Sequence, residues 1–169
     1  MGYPSKAVAN HILDIASGRG SSVTPMKLLK LLYFAHGWHL ALKDSALLNE
    51  SIEAWRFGPV VPSVYHAFKQ YGTEPITDHA TDLDLEAWMK KGEIKYVECC
   101  LPSDHTLGEF FDKIWEVYGG FSALQLSTLT HQPDTPWFKT WFELGGKDKK
   151  GADIPDGLIK EYFLQKSKN

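Results

Sequence analysis

The chain has 169 residues, the length of one ordinary domain, and its 43% hydrophobic and 23% charged residues exclude a disordered protein. The formal net charge of -3 argues against a protein built to coat nucleic acid, so we expect no direct nucleic-acid binding. Aromatic residues make up 13%, with six Trp, and such residues fill cores and also anchor protein interfaces. We therefore expect one domain over residues 1–169.

The cysteine usage and the hydropathy predict a cytoplasmic protein. Cys99 and Cys100 are neighbours and cannot build a disulfide framework, which favours a reducing compartment. The N-terminus has no long apolar stretch after a basic start, so no signal peptide is predicted. The most apolar stretch, residues 28–42, includes Lys30 and is shorter than the ~20 nearly uncharged residues of a membrane span. We expect no membrane partner.

Two helices are predicted in the first quarter of the chain. Apolar residues at helical spacing predict one helix over residues 7–16. Thr24 and Pro25, a capping residue followed by a proline suited to the first turn, predict the start of a second helix that extends to about Lys43. Because this second helix is apolar nearly all round, it is predicted to lie at the centre of the domain.

A small β-hairpin is predicted next. Residues 47–51 are typical of a short strand and turn, and residues 52–57 alternate with period two, as a half-buried strand does. Gly58 and Pro59 are predicted to end the hairpin. A helix follows near residues 63–71, where apolar residues recur at helical spacing.

The middle of the chain has the weakest pattern, and the second half has clear helices. Residues 73–103 are predicted to be a variable connection with a short helix over 83–91 and an ambiguous apolar run over 94–101. An apolar stripe at helical spacing predicts a helix over residues 107–118, and a capping box predicts one over 122–131. A cap followed by proline predicts a short helix over 135–144, and a last apolar face predicts one over 154–163. The predicted fold is mainly α (α+β): a compact bundle of six or seven helices around a central apolar helix, with a small β-hairpin.

The sequence contains no recognisable catalytic constellation, so we expect a protein that is not an enzyme and needs no cofactor. His36 and His39 share a helix face, but zinc hydrolases of the His-Glu-x-x-His type use a four-residue spacing and an adjacent glutamate. A metal-dependent hydrolase that uses these two residues with His131 stays open as an alternative. No nucleotide-binding glycine pattern is present.

The segment around Gly58 has the composition of a protein interface, since Trp, Arg and Tyr are enriched in binding hot spots. On a two-residue alternation Trp55 and Phe57 face one way, and we expect these two to close the core. The candidate partner-binding residues are Arg56, Val60, Tyr65 and Lys69.

The same segments carry a family resemblance. Residues 30–36, KLLYFAH, resemble a helix of the Panacea domain, which is the SocA-like antitoxin domain found in phage-associated GepA-like proteins. Residues 53–65, EAWRFGPVVPSVY, are similar to a second and more specific motif of that domain. Shorter matches are LTH at 129–131, PW at 136–137, IP at 154–155 and IKEYF at 159–163. The resemblance covers nearly the whole chain, in order, but not residues 73–103.

The resemblance implies an antitoxin that neutralises a cognate protein toxin by direct contact, with the toxin encoded by the adjacent gene. It also implies an alternative, since one branch of the family is an adaptor that delivers its toxin to a protease. The contacts are expected at Arg56, Val60, Tyr65 and Lys69. In a second interpretation the motifs are a folding signature and the contacts lie in residues 73–103, because binding residues concentrate on variable loops.

Overall fold

A computed structural model describes residues 2–169, within which the chain forms eight helices and five short strands. The helices are α1 (Ser5–Gly18), α2 (Pro25–Lys43), α3 (Pro62–Phe68), α4 (Leu85–Lys91), α5 (His105–Tyr118), α6 (Ala123–Thr130), α7 (Pro136–Phe138) and α8 (Asp156–Ser167). The strands are β1 (Glu53–Trp55), β2 (Gly58–Val60), β3 (Thr81–Leu83), β4 (Tyr96–Glu98) and β5 (Ala152–Asp153). The predicted mainly α class is confirmed. The described residues form eight helices where six or seven are predicted, because the short α4 and the three-residue α7 are both counted as separate helices.

Helix α2 is the centre of the fold, as its all-round apolar sequence predicts. The Thr24 hydroxyl accepts a hydrogen bond from the Lys27 amide at 3.4 Å, and Pro25 occupies the first turn, so the helix begins where its cap predicts. Helices α1, α3, α5, α6 and α8 all pack against it. Gly37 permits the closest of these approaches, because a Cβ there would collide with the ring of Phe163 on α8.

The hairpin consists of β1 and β2, with β5 on the other side of β1. The prediction that residues 47–51 form its first strand is wrong, because those residues bond to the N-terminal segment instead: the Tyr3 amide donates to the Leu47 carbonyl at 2.7 Å. Gly58 and Pro59 do not end the hairpin; they are its second strand. An edge strand tolerates Pro59, which lacks an amide donor, and Gly58 adopts a φ of 112°, which other residues rarely do.

Residues 81–98 form a small unit of their own, in which β3 and β4 pair around α4. The predicted short helix of this region is confirmed. Asn10 of α1 holds the unit to the body of the protein: its side chain donates to the carbonyls of Ala80 and Cys99 at 2.9 and 3.0 Å and accepts from the Ala80 amide at 2.7 Å. Asn10 is buried, so these three bonds are shielded from water. The predicted variable connection therefore contains a folded β–α–β unit that is hydrogen-bonded to α1.

Candidate partner-binding site

A buried lysine on α2 organises the hairpin. Lys30 is only 1% exposed, and its Nζ donates to the carbonyls of Phe57 and Pro59 at 3.0 and 3.1 Å. Within residues 2–169 no carboxylate lies at ion-pair distance from this ammonium. Because burial penalises the charged form, the pKa of Lys30 falls to about 7.

The motif segments identified in the sequence meet at this lysine. A Cβ at Gly58 would lie 2.7 Å from the Lys30 Nζ and 3.0 Å from Cε1 of His131, which follows α6. The His131 ring packs at 4.1 Å from the ring of Trp137, the first residue after Pro136 in α7. The Trp137 indole in turn donates to the Trp55 carbonyl at 2.7 Å. These motif residues thus fix the hairpin onto α2, which is the role of a folding signature.

A groove lies between the hairpin, α2 and α3, with a volume of about 250 Å³. We name it the hairpin groove. Apolar and aromatic side chains and two lysines line it, among them Met26, Lys30, Phe57, Val60, Tyr65 and Lys69. The groove therefore combines apolar walls with positive charge.

Three of the four predicted partner-binding residues lie together on this groove, and one does not. Tyr65 is half-buried against Trp55, with the ring centres 4.8 Å apart, and Lys69 is exposed. Val60 is 4% exposed, so it contributes the floor and little contact area. Arg56 is exposed outside the groove, and its guanidinium lies 5.7 Å from the ring of Phe57.

The expectation that Trp55 and Phe57 both close the core is wrong for Phe57. This side chain is 67% exposed, while Trp55 is half-buried. The alternation of side chains between the two faces of the strand stops at Trp55, where β1 ends. Phe57 lies in the turn that follows and points outward. Phe57 is consequently a large apolar side chain on the surface beside Arg56.

Along the described residues, large exposed apolar side chains are most frequent in the unit formed by residues 81–98. Seven large apolar side chains within residues 83–97 are between 38% and 77% exposed. We name this the 83–97 surface; its members are Leu83, Leu85, Trp88, Met89, Ile94, Tyr96 and Val97. The sequence predicts this region as an alternative contact site, but no individual contact residue in it. The sequence feature that these seven residues share is a large apolar side chain in a segment that lacks the apolar period of a buried helix.

The three histidines of the metal-hydrolase alternative do not converge. His36 is buried, with Nε2 2.9 Å from an Asp156 carboxylate oxygen and Nδ1 accepting from the Leu48 amide at 3.3 Å. His39 bonds through Nδ1 to a backbone carbonyl at 2.7 Å, and His131 does the same at 2.6 Å. No three His, Cys, Asp or Glu side chains in residues 2–169 are grouped as metal ligands. Each imidazole has a local structural partner, so the geometry gives this alternative no support.

The family is decided by two comparisons. The model of the family described as antitoxin SocA-like, Panacea domain, matches residues 28–138. The chain is 33% identical over 159 residues to antitoxin SocA of Caulobacter vibrioides (strain NA1000 / CB15N), which covers 94% of this chain and 81% of that relative. The chain belongs to the SocA-like, Panacea domain family. No solved structure matches it.

Membership of the SocA-like family confirms the resemblance found in the sequence and supports an antitoxin role. It also suggests a role without catalysis. The matched residues include the hairpin, Lys30 and the whole 83–97 surface. No helix in residues 2–169 has the length and the hydropathy that crossing a membrane requires.

Proposed function

We propose that this chain is an antitoxin that neutralises a cognate protein toxin, encoded by the adjacent gene, by binding it directly. The observation that carries the proposal is the 83–97 surface. Large exposed apolar side chains gathered in one part of a protein are typical of an interaction site, and residues 83–97 expose seven of them. The side chains present are those of interface hot spots: Trp88 is 53% and Tyr96 69% exposed, beside the flexible Met89 at 77%.

The anchoring of the 81–98 unit supports this role. In addition to the three hydrogen bonds of Asn10, Lys6 of α1 forms an ion pair with Asp82. His79 bridges Asp14 of α1 and Glu98 at 2.6 and 3.0 Å. A surface that is held in place before binding loses less conformational entropy when a partner docks.

The hairpin groove is the second part of the proposed contact. Tyr65 and Lys69 remain candidate contact residues there, with Val60 as the floor, and the exposed Phe57 joins them. Arg56 remains a candidate contact residue beside the groove. An interface of ~800 Å² per partner is the usual size for a specific complex. We propose that the 83–97 surface supplies most of the apolar area and that the groove adds charged contacts.

Expression of the two flanking open reading frames tests the proposed function. Each is expressed alone and with this chain in a bacterial host. We expect one of the products to arrest growth alone, and this chain to restore growth and to copurify with that product. Arrest by neither product, or arrest that this chain does not relieve, contradicts the proposal.

Paired substitutions test which surface carries the contact. We expect Trp88→Ala with Met89→Ala to abolish rescue, and Arg56→Ala with Tyr65→Ala to weaken it, while thermal unfolding of both variants stays close to that of the original chain. Leu124→Ala on α6 is the matched control, because Leu124 is 75% exposed but lies on neither surface. Rescue by the Trp88 and Met89 variant that equals the control contradicts the assignment of the 83–97 surface.

The abundance of the toxin during rescue distinguishes masking from delivery to a protease. Masking leaves the toxin at full abundance in the complex, whereas an adaptor lowers its abundance in a way that depends on the protease. We expect unchanged abundance. Rescue that always accompanies loss of the toxin would favour the adaptor function over masking.

A further inference from the structure

We propose, resting on the proposed function, that the hairpin groove is a receptor for an acidic side chain of the toxin that has a large apolar side chain beside it. The carboxylate binds the ammonium groups of Lys30 and Lys69, and the apolar neighbour packs on Met26 and Phe57. The partner chemistry follows from the charge, the size and the walls of the groove.

The charge of the groove is positive and unbalanced. Among residues 2–169, those that line it include two lysines, Lys30 and Lys69, and no Asp or Glu. The Lys30 ammonium has three N–H donors, of which the carbonyls of Phe57 and Pro59 take two. In the part of the chain that the structure describes, the third has no acceptor. A buried ammonium in this position gains strongly from a carboxylate, because charge-assisted hydrogen bonds are about twice as strong as neutral ones.

The surroundings of Lys30 contain no acidic group that competes for this role. The titratable groups of the surrounding elements are His131 directly after α6, Tyr65 and His66 on α3, Lys69 directly after α3, and Glu53 and Arg56 of the hairpin. The Glu53 carboxylate does not line the groove and accepts from the Trp55 indole at 2.7 Å. Arg56 lies outside the groove but packs against Phe57, one of its wall residues, and adds positive charge there. In a chain with a net charge of -3, this local positive field steers acidic segments towards the groove.

The size of the groove favours an inserted side chain over a free small molecule. Pockets for small ligands have volumes of about 300–1,000 Å³ and enclose most of the ligand. The hairpin groove has about 250 Å³, which is below this range. Met26 is 41% and Phe57 67% exposed at its walls, so an apolar neighbour of the carboxylate covers side chains that now contact water.

A titration of the full chain with 3-phenylpropionate tests the groove without the toxin, and 3-phenylpropionamide is the uncharged control. We expect the carboxylate at about 1 mM to shift the NMR signals of the Trp55 indole and the Tyr65 ring in a saturable way, and the amide not to do so. Lys69→Glu should weaken this response at least fivefold, whereas Lys168→Glu at the end of α8 should not change it. Absence of the response, or an equal response to the amide, overturns the inference.

A second arm uses the growth-arresting product of the flanking gene. We expect Lys69→Glu to lower the affinity of the complex at least tenfold and Lys168→Glu to leave it unchanged. One Asp→Lys or Glu→Lys substitution in the toxin should restore binding to the Lys69→Glu variant. Equal affinity of both variants overturns this inference and leaves the proposed function standing. Failure of the original chain to bind contradicts the proposed function, and the titration then still decides whether the groove selects carboxylates.

Discussion

Lys30 makes the stability of the fold depend on pH in a predictable direction. Its pKa is about 7 in the folded chain, against an ordinary value of 10.5 that applies when the chain is unfolded. Between these two values the unfolded chain binds one proton more, so the free energy of unfolding rises with pH. Below pH 7 both states hold the proton, and the full cost of burying the ammonium is present.

Substitution of Lys30 by Met removes this pH dependence. From pH 7 to pH 9 the original chain should gain ~2 kcal/mol of stability relative to Lys30→Met. Denaturant unfolding at several pH values measures the difference, and the comparison cancels the contributions of the other titrating groups. Parallel stability curves for the two proteins would show that Lys30 is not buried as an ammonium below pH 7.

Gly58 is the hairpin residue at which we expect a substitution to destabilise the fold most. Gly58→Ala combines an unfavourable φ of 112° with a Cβ 2.7 Å from the Lys30 Nζ, so we expect a loss of ~2–4 kcal/mol. Gly145→Ala is the matched control: its φ of 74° and ψ of 19° lie in the left-handed helical region, and nothing lies within 4 Å of the new Cβ, so a loss of ~1 kcal/mol is expected. Denaturant unfolding compares the two. Equal losses would contradict the close packing at Gly58.

The roles of single residues were only partly predictable from the sequence. The residue types around Gly58 predict an interface. Nothing local in the sequence indicates that Lys30 donates to a backbone carbonyl of this motif, at Phe57, 27 residues away. A buried lysine satisfied by distant backbone looks like a surface lysine in the sequence. Phe57 shows the opposite error, since its aromatic ring predicts burial and the hairpin turn exposes it.

At the scale of elements, Asn10 is the link between the 81–98 unit and α1. Asn10→Ala removes three buried hydrogen bonds, which costs ~2–3 kcal/mol. We expect the amides of β3 and β4 to lose protection from hydrogen exchange while those of α2 keep theirs. Loss of protection throughout the chain would show that the unit does not open separately.

His79 should make the same link depend on pH. Hydrogen bonds to the carboxylates of Glu98 and Asp14 raise the pKa of His79. Its contribution is therefore complete below pH 6.5 and is lost as pH rises through the raised value of the folded chain. We expect His79→Ala to reduce the exchange protection of β4 at pH 5.5 by an amount that corresponds to ~0.5–1 kcal/mol, and to have little effect at pH 9. An equal effect at both pH values would contradict this assignment.

Elements with local signals were predictable, and elements made by long-range pairing were not. The capping box at α6 forms as predicted: the Ser122 hydroxyl accepts from the Gln125 amide at 3.1 Å, and the Gln125 side chain accepts in return at 2.8 Å. Strands β3 and β4 have three residues each, with all residues exposed, so they lack the alternation that identifies a strand. For the same reason the 83–97 surface could be located only as a region.

At the scale of the whole molecule, the family motifs and the 83–97 surface lie in different parts of the fold. The motifs meet around Lys30 and hold the hairpin on α2, while the 83–97 surface belongs to the unit that Asn10 bonds to α1. Binding requires exposed surface that is held in place. The seven exposed apolar side chains of residues 83–97, on a unit that Asn10 bonds to α1, meet this requirement.

Calorimetry of the purified chain with the purified growth-arresting product of the flanking gene measures the proposed binding most directly. We predict a one-to-one complex with a dissociation constant below ~1 μM, and at least a hundredfold weaker binding for the chain with Trp88→Ala and Met89→Ala. The Leu124→Ala control should bind as the original chain does. Growth rescue without measurable binding, or binding that the Trp88 and Met89 substitutions leave intact, would contradict neutralisation through the 83–97 surface.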